Sequence, residues 1–454
     1  GEYGSLTGTA ATFGLSTKEG IEIATDEQNA AGGIAGTKIR VVVEDDQSKH
    51  EEAATAVSKI LSTDRPVAVL GEVSSSRSLA AAPLLQKAMV PMISPSSTSE
   101  KVTLVGDYIF RVCFIDPFQG QVIADFAYND KAIRKAAILK DVKNDYSVGL
   151  ATVFEQHFTR MGGTITGQEA YSEGDFDFKA QLTSIIAGQP EALVLTGYYT
   201  EVGQIARQAR ELGFTGIFLG GDGWDSEKLV EQGKDAIIGG YYTNHYSVDD
   251  PTPAVQAFIA KYEKAYKKKP DGLAALGYDA AKILYLAMED VAKDPKLAEG
   301  LSDRSGLPAT DGARKAARAA LRDRLAKVEN FPGVTGSITI DENRNAVKPA
   351  VVVEVTASGP KFVAKKAPAG AAPAAAEAPP VEAVPAPDGA PVAGGPGASP
   401  AEDGALQRGG AAAPAGELTP RGDAPKGELD RAGGAEPAGG LKSRGGAAPE
   451  APAK

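Results

Sequence analysis

The stretch Val67-Ala-Val-Leu-Gly-Glu-Val-Ser-Ser-Ser-Arg-Ser78 leads an apolar segment directly into a turn rich in hydroxyl groups. Further along, Val90-Pro-Met-Ile-Ser-Pro-Ser-Ser-Thr98 repeats the arrangement. The apolar part is typical of a buried parallel strand, and the serines are typical of the start of a helix. Because free N–H groups and the helix dipole make such a start positive, two of them side by side suit a small anion, above all a carboxylate. The candidate binding groups are Ser75, Ser76, Ser96, Ser97 and Thr98.

Length and composition limit the class of protein. The chain has 454 residues, with 43% hydrophobic and 24% charged residues, values that are ordinary for globular domains. The net charge of −11 argues against nucleic acid as a partner. No apolar run approaches the roughly 18 residues that a membrane helix needs. The single cysteine, Cys113, lies in an apolar segment, so we expect a buried, inert thiol.

Apolar segments alternate with segments of helical periodicity through residues 1–364. This alternation predicts an α/β fold with two Rossmann-like lobes, each a mostly parallel sheet covered by helices. The predicted strands include Lys38–Glu44, Val67–Leu70, Ala136–Leu139, Ala192–Leu195, Gly216–Leu219, Ser337–Asp341 and Ala350–Val355. The predicted helices include Glu52–Leu61, Leu79–Met89, Val148–Met161, Val202–Leu212, Pro253–Tyr266, Leu273–Val291 and Asp311–Val328.

The composition changes near Phe362–Pro368, where alanine, proline and glycine replace the large aliphatic residues. Such a segment cannot bury enough apolar surface to offset its ordering entropy. We therefore predict a disordered tail over residues 365–454, with two open uses, a spacer in the cell envelope or a solubilising tail. The segment Asp294–Gly312 is expected to be a surface loop.

Three loops of the second half follow predicted strands and should meet at one cleft edge. They supply the aromatic residues Tyr146, Tyr198 and Trp224, and the carboxylate of Asp222, which glycines flank. A carboxylate opposite the hydroxyl-rich turns would suit the two charges of an α-amino acid. Local alternatives remain open: the serines and Asp222 could cap helices, and the tyrosines could be packing residues.

The sequence gives little support for catalysis. The three histidines, His50, His157 and His245, are scattered, and none of the common hydrolase, metal or phosphate motifs is present. We therefore expect no enzyme activity, no cofactor and no metal.

Several motifs, in order, make the chain similar to the leucine/isoleucine/valine-binding family of periplasmic solute receptors for ABC transporters. They are Ser5–Gly14, Asn29–Gly36, Gly71–Ser76, Pro91–Thr98, Asp145–Gly149, Gly197–Gly203 and Phe331–Gly336. The resemblance covers roughly residues 1–364. It implies the type I periplasmic binding protein fold, with three hinge crossovers between the lobes.

The resemblance also implies roles for individual residues. Ser75, Ser96 and Thr98 would hold the ligand carboxylate, and Tyr146 would cover the ligand. Tyr198 and Asp222 would meet its ammonium group, and Phe13 would contact its side chain. Asp222 stands where the best-known members have glutamate, so the charge is kept but its reach is shorter.

The expected function is capture of a small amino acid, branched-chain or similar, and its delivery to a membrane ABC permease. The alternatives are a ligand-sensing regulatory receptor of the same fold and a receptor for amides, urea or aromatic acids. The expected lobes are residues 1–117 with 247–330 and residues 118–246 with 331–364. We expect a monomer in the periplasm or cell envelope, its signal peptide removed, with a lipid anchor before Gly1 as one option.

Overall fold

The computed structural model describes residues 1–302 and 309–368, so nearly all of the predicted tail lies outside the described residues. The strands are β1 (Glu2–Gly4), β2 (Val43–Asp45), β3 (Val69–Leu70), β4 (Met92–Ser94), β5 (Ile109–Arg111), β6 (Lys135–Asp141), β7 (Thr164–Tyr171), β8 (Ala192–Leu195), β9 (Ile217–Gly220), β10 (Tyr241–Asn244), β11 (Phe331–Gly333), β12 (Gly336–Ile340), β13 (Ala346–Val347), β14 (Ala350–Thr356) and β15 (Gly359–Lys366). The α-helices are α1 (Ala11–Ala30), α2 (His50–Thr63), α3 (Ser75–Ala88), α4 (Asp116–Asp125), α5 (Asp145–Arg160), α6 (Lys179–Ala187), α7 (Tyr199–Glu211), α8 (Glu227–Gly233), α9 (Pro253–Tyr266), α10 (Gly272–Ala292), α11 (Pro295–Leu301) and α12 (Asp311–Leu325).

The first lobe is built on a parallel sheet with the strand order β2-β1-β3-β4-β5. Helices α1 and α10 lie against each other closely because glycines remove the side chains at their contact. A Cβ atom at Gly20 would collide with the carbonyl oxygen of Ala274, and one at Gly277 would collide with that of Thr17. This close approach fixes α1, which carries Phe13 toward the space between the lobes.

The second lobe is built on a sheet with the strand order β15-β14-β10-β9-β8-β6-β7. Its strands β6 to β10 run parallel, whereas β14 and β15 are added antiparallel at one edge. Strand β8 is completely buried, as expected for a central strand covered on both faces. The carboxyl ends of β6, β8 and β9 lead into the loops that carry Tyr146, Tyr198 and Asp222.

Three crossovers join the lobes, as the resemblance implied. Residues 112–115 connect β5 to α4, and residues 245–252 connect β10 to α9. The third runs from α12 through a small antiparallel sheet, β11-β12-β13, to β14. Buried Asp279 on α10 holds this third crossover by accepting hydrogen bonds from the amides of Val334 and Thr335, both at 2.9 Å.

Two local predictions are wrong. The predicted strand Lys38–Glu44 is reduced to Val43–Asp45, because its neighbour β1 offers only three residues for pairing. The predicted loop Asp294–Gly312 contains helix α11, which Asp294 caps by accepting a hydrogen bond from the amide of Lys296 at 2.9 Å; residues 303–308 lie outside the described residues. The lobe boundaries at residues 117, 246 and 330 stay predictions, and β15 continues to Lys366, two residues beyond the predicted end of the second lobe.

Candidate ligand-binding site

The two lobes meet around a narrow cavity at the carboxyl ends of their strands, with a free volume of about 10 Å³. This is close to the space that one water molecule needs. The cavity is therefore nearly closed by its own walls in this form. Its wall contains seven of the nine predicted site residues and three others: Phe13, Val73, Ser75, Ser96, Thr98, Tyr146, Tyr198, Asp222, Gly223 and Leu273.

The first-lobe wall consists of the two hydroxyl-rich turns. Helix α3 begins at Ser75, a residue of the cavity wall, so the first N–H groups of the helix have no partner within it. The hydroxyl of Ser75 accepts a hydrogen bond from the amide of Ser99 at 3.1 Å, which links the two turns. Ser96 and Thr98 complete this wall, and all three side chains are buried. The second turn does not start an α-helix as predicted, since the next helical segment after it is a 3₁₀ turn at Thr103–Val105. The wall thus offers neutral polar groups and one helix-end dipole, that of α3.

Two predicted residues of the same turns do not line the cavity. The hydroxyl of Ser97 lies within 3.0 Å of three first-lobe oxygens, the hydroxyl of Ser78 and the carbonyls of Glu72 and Val73. Ser97 therefore holds the turn together. The hydroxyl of Ser76 reaches the opposite lobe, where it accepts from the amide of Asp145 at 2.9 Å and donates to its carboxylate at 3.1 Å.

Aromatic side chains line the cavity between the hydroxyl-rich turns and Asp222. The rings of Tyr146 and Tyr198 are stacked, with centroids 5.4 Å apart, and Phe13 meets Tyr198 edge-on at 5.3 Å. The hydroxyl of Tyr146 accepts from the amide of Gly223 at 3.1 Å, and that of Tyr198 donates to Ser74 at 3.0 Å. Burial raises the pKa of both tyrosines, so both are neutral hydroxyls. Each therefore has a fixed orientation.

The second-lobe wall carries the only carboxylate among the residues that line this cavity, Asp222. It opens a short 3₁₀ turn after β9, and its amide donates to the side-chain oxygen of Gln119 at 2.8 Å. Its Oδ2 accepts from His245 at 3.0 Å and from Ser96 at 3.3 Å. Its Oδ1 is buried and has no hydrogen-bond partner in the described part of the chain. One oxygen is therefore held by the protein, and the other is left for a donor in the cavity.

Sequence reasoning missed His245, because it treated this residue as one of three scattered histidines. His245 follows β10 directly, and its ring stacks on Phe114 with centroids 3.7 Å apart. Burial lowers the pKa of His245 to about 4, against the opposing effect of Asp222, so the ring is neutral near pH 7. Its place at the end of a parallel strand was the signal that could have identified it. Trp224, in contrast, is buried beneath the sheet edge, where its ring N–H donates to the carbonyl of Leu195 at 3.0 Å.

Contacts between the lobes close the cavity. Besides the bonds of Ser76 and Tyr198, the hydroxyl of Tyr199 donates to the carbonyl of Thr9 at 2.8 Å. Buried Arg77 of the first lobe lies 3.5 Å from the carboxylate of Glu173 in the second lobe and 3.8 Å from that of Glu72 in its own lobe. Glu72 is fully buried, and its burial raises its pKa to about 8. This arrangement describes a closed form, in which the two walls of the cavity nearly touch.

Among residues 1–302 and 309–368, no group of side chains is arranged to hold a metal ion. The same residues contain no helix that is both long and apolar enough to span a bilayer.

Two lobes that meet at a cleft lined by hydroxyl groups, aromatic rings and a carboxylate are typical of proteins that hold a small solute between domains. The chain belongs to the periplasmic binding protein family, whose model matches residues 1–360, and within it to the leucine/isoleucine/valine-binding group of ABC-transporter solute receptors. This membership implies an extracytoplasmic location.

Relatives with similar sequences and structures agree on this group. The Leu/Ile/Val-binding protein BraC3 of Rhizobium johnstonii is 30% identical over 312 residues, which are 68% of this chain and 84% of the relative. A crystal structure of the leucine-binding protein LivK from Thermotoga maritima is 37% identical, with a TM-score of 0.73, and the match covers 81% of this chain and 98% of LivK. LivJ of Streptococcus pneumoniae, solved with isoleucine, is 30% identical, with a TM-score of 0.70 and coverage of 80% and 97%.

Proposed function

We propose that this protein binds one small α-amino acid, branched-chain or similar, between its lobes and delivers it to a membrane ABC permease. The protein acts on its ligand by enclosing it and performs no chemistry on it. It works as a monomer in the periplasm or cell envelope. The names of the relatives support this assignment, and the cavity supports the chemical class of the ligand.

The observation that carries the proposal is the pairing of unlike walls across the cavity. Ser75, Ser96 and Thr98 offer hydroxyl groups beside the start of helix α3, which suits a carboxylate. Across from them, the unpartnered Oδ1 of Asp222 suits an ammonium group. An α-amino acid brings both charges on one carbon atom, so each charge finds partners when the cavity closes.

Apolar residues of the cavity wall would contact the side chain of the amino acid. Phe13, Val73 and Leu273 line the cavity and offer only carbon atoms from their side chains. An aliphatic side chain buried there would gain about 0.8 kcal/mol for each CH₂ group removed from water.

The proposal is tested by thermal denaturation of the full chain with three matched compounds. L-Leucine carries both charges, 4-methylpentanoate lacks the ammonium group, and 3-methylbutylamine lacks the carboxylate. A compound that binds only the folded state raises the melting temperature, by an amount that corresponds to about 2.7 kcal/mol at a hundred times its Kd. We expect a clear rise with L-leucine and much smaller rises with the other two.

The same assay, extended to urea, short amides and aromatic acids, separates the alternatives. A rise with 4-methylpentanoate or benzoate equal to that with L-leucine would contradict the role given to Asp222 and favour a receptor for carboxylic acids. Uptake of radiolabelled amino acid by permease-containing vesicles would then separate a transport receptor from a sensor. A sensor would bind the amino acid without stimulating uptake.

A further inference from the structure

Asp222 is the only charged group in the cavity wall, and a second residue determines how it is presented. The ring nitrogen Nε2 of His245 lies 3.0 Å from Asp222 Oδ2. Asp222 follows β9 and His245 follows β10, so adjacent strands of one sheet carry the pair. The bond therefore joins residues at two neighbouring strand ends of one sheet.

The surroundings of His245 fix its ring. The side chain is 1% exposed, and the ring stacks nearly parallel on Phe114, with an angle of 25° between the planes. Phe114 belongs to the first crossover, and His245 begins the second. Two of the three connections between the lobes therefore meet at this imidazole.

The charge of the ring is as important as its position. Burial lowers the pKa of His245 to about 4, so near pH 7 the ring is neutral and carries one N–H group. A carboxylate accepts hydrogen bonds, so the tautomer that fits has its proton on Nε2 and donates to Asp222. Nδ1, for which the described residues offer no hydrogen-bond partner, is then the unprotonated nitrogen. A neutral donor orients the carboxylate without cancelling its negative charge, whereas a lysine or arginine there would cancel it.

We propose that His245 is a positioning residue of the ligand site: it holds Asp222 Oδ2 with a neutral N–H donor, so that the carboxylate keeps its negative charge and Oδ1 stays free for the ammonium group of the ligand. This inference rests on the proposed function, because it assigns the partner of that ammonium group. It makes His245 one cause of the preference of the site for amino acids over the corresponding carboxylic acids. His245 itself is absent from the cavity wall.

The first test compares two replacements of His245 by calorimetric titration with L-leucine and 4-methylpentanoate. His245→Phe keeps an aromatic ring on Phe114 but removes the N–H donor. We expect this replacement to weaken L-leucine binding roughly 10- to 100-fold. It should change 4-methylpentanoate affinity less than about 3-fold, because that compound has no ammonium group. His245→Gln restores a neutral N–H donor and should recover most of the L-leucine affinity. His157→Phe, at a partly exposed position in the last turn of helix α5, is the control and should bind as the wild type does.

Equal losses for the two compounds would overturn the inference, as would full L-leucine affinity in His245→Phe. A double-mutant cycle adds a second criterion. If His245 acts through Asp222, adding His245→Phe to Asp222→Ala should cost little further L-leucine affinity. Full additivity would contradict the inference. A wild-type protein that binds neither L-leucine nor any other amino acid would instead contradict the proposed function and the inference with it.

A spectroscopic test needs no variant and no ligand. The chain has three histidines, so ¹⁵N-labelled histidine gives few ring signals. We expect one ring with the proton on Nε2 and no change in protonation between about pH 6 and 8. A His245 ring that titrates in this range, or carries its proton on Nδ1, would overturn the inference even if His245→Phe fails to fold.

Discussion

The first-lobe wall of the cavity offers neutral hydroxyl groups, whereas the second-lobe wall offers a buried carboxylate. Ser75 and Thr98 belong to turns that the chain builds locally, directly after β3 and β4. Asp222 depends on residues distant in sequence, since Gln119 holds its amide and His245 holds its side chain. The same small ligand would thus contact a locally built wall on one side and an assembled wall on the other.

This difference has an energetic consequence. A hydroxyl or amide dipole that loses its ligand loses a modest hydrogen bond, worth about 0.5–1.5 kcal/mol. A buried charge that loses its partner costs considerably more. Affinity and selectivity should therefore concentrate in the second-lobe wall, and substitutions on the two walls should have unequal effects.

The largest effect is expected for Asp222→Ala. It removes the only carboxylate of the cavity wall and leaves the ligand ammonium without a charged partner. We expect L-leucine binding to weaken by about 2–5 kcal/mol, measured by calorimetric titration. Asp235→Ala, at an exposed site of the same lobe, is the control. Unchanged affinity in Asp222→Ala would remove the distinction between the walls.

The second effect is a dependence of stability on pH that belongs to the second-lobe wall. Burial lowers the pKa of His245 from its usual 6.5 to about 4, while Asp222 raises it and Lys348 lowers it further. Between these two values the unfolded chain binds more protons at His245 than the folded one, so the contribution of this residue to stability is full above about pH 6.5 and is lost as the pH drops toward 4.

His245→Gln removes this titration. Between about pH 7 and pH 5, the wild type should therefore lose about 2 kcal/mol more free energy of unfolding than the variant does. Urea denaturation of both proteins at each pH measures the difference. Parallel curves for the two proteins would mean that the imidazole is not held neutral by burial.

The third effect concerns the first-lobe wall. Ser75→Ala removes one neutral hydroxyl, so we expect only a roughly 3- to 10-fold loss of affinity. The loss should be the same for L-leucine and 4-methylpentanoate, because both carry the carboxylate. Ser97→Ala serves as the contrast, because the Ser97 hydroxyl bonds within the first lobe. This replacement should lower the melting temperature and change the L-leucine affinity little. A loss confined to L-leucine would place Ser75 near the ammonium group instead.

The smallest effect is expected for a contact that belongs to neither wall. Glu173→Gln removes the charge that lies 3.5 Å from Arg77 across the cleft. Glu173 is partly exposed, so the ion pair should contribute less than about 1 kcal/mol to closure. We expect a loss of affinity of about 2-fold, in calorimetric titrations of L-leucine at low salt. A loss as large as that of Asp222→Ala would mean that closure, and not the cavity wall, dominates binding.

The locally built parts of the molecule were predictable from the sequence. Strand Ala192–Leu195 and helix Pro253–Tyr266 have the predicted bounds, because an apolar run and an N-terminal proline mark them directly. The hydroxyl-rich turns were found for the same reason. Helix α3 starts four residues earlier than predicted, since Ser75–Ser78 contributes no apolar periodicity.

The assembled parts were not predictable in the same way. Which hydroxyl of a turn faces the cavity depends on the backbone, so the sequence could not show that the Ser97 hydroxyl bonds within its own lobe. His245 and Gln119 come from crossovers and helices whose position depends on packing between the lobes. Strand β10, rich in tyrosine and threonine, was itself missed, so the residue at its end was never considered.

The reciprocal bonds between Ser76 and Asp145 also have a consequence for the empty protein. They bring the first turns of α3 and α5 together across the cleft, and each helix start carries about half a positive charge. The carboxylate of Asp145 offsets part of this positive charge, but the positive ends of two helix dipoles still face each other. A carboxylate between them would relieve the repulsion, and its absence would favour separation of the lobes. The lobes would therefore be closed when the site holds its ligand and separated when it is empty. A partner that contacts both lobes only in the closed form would bind the loaded protein and not the empty one.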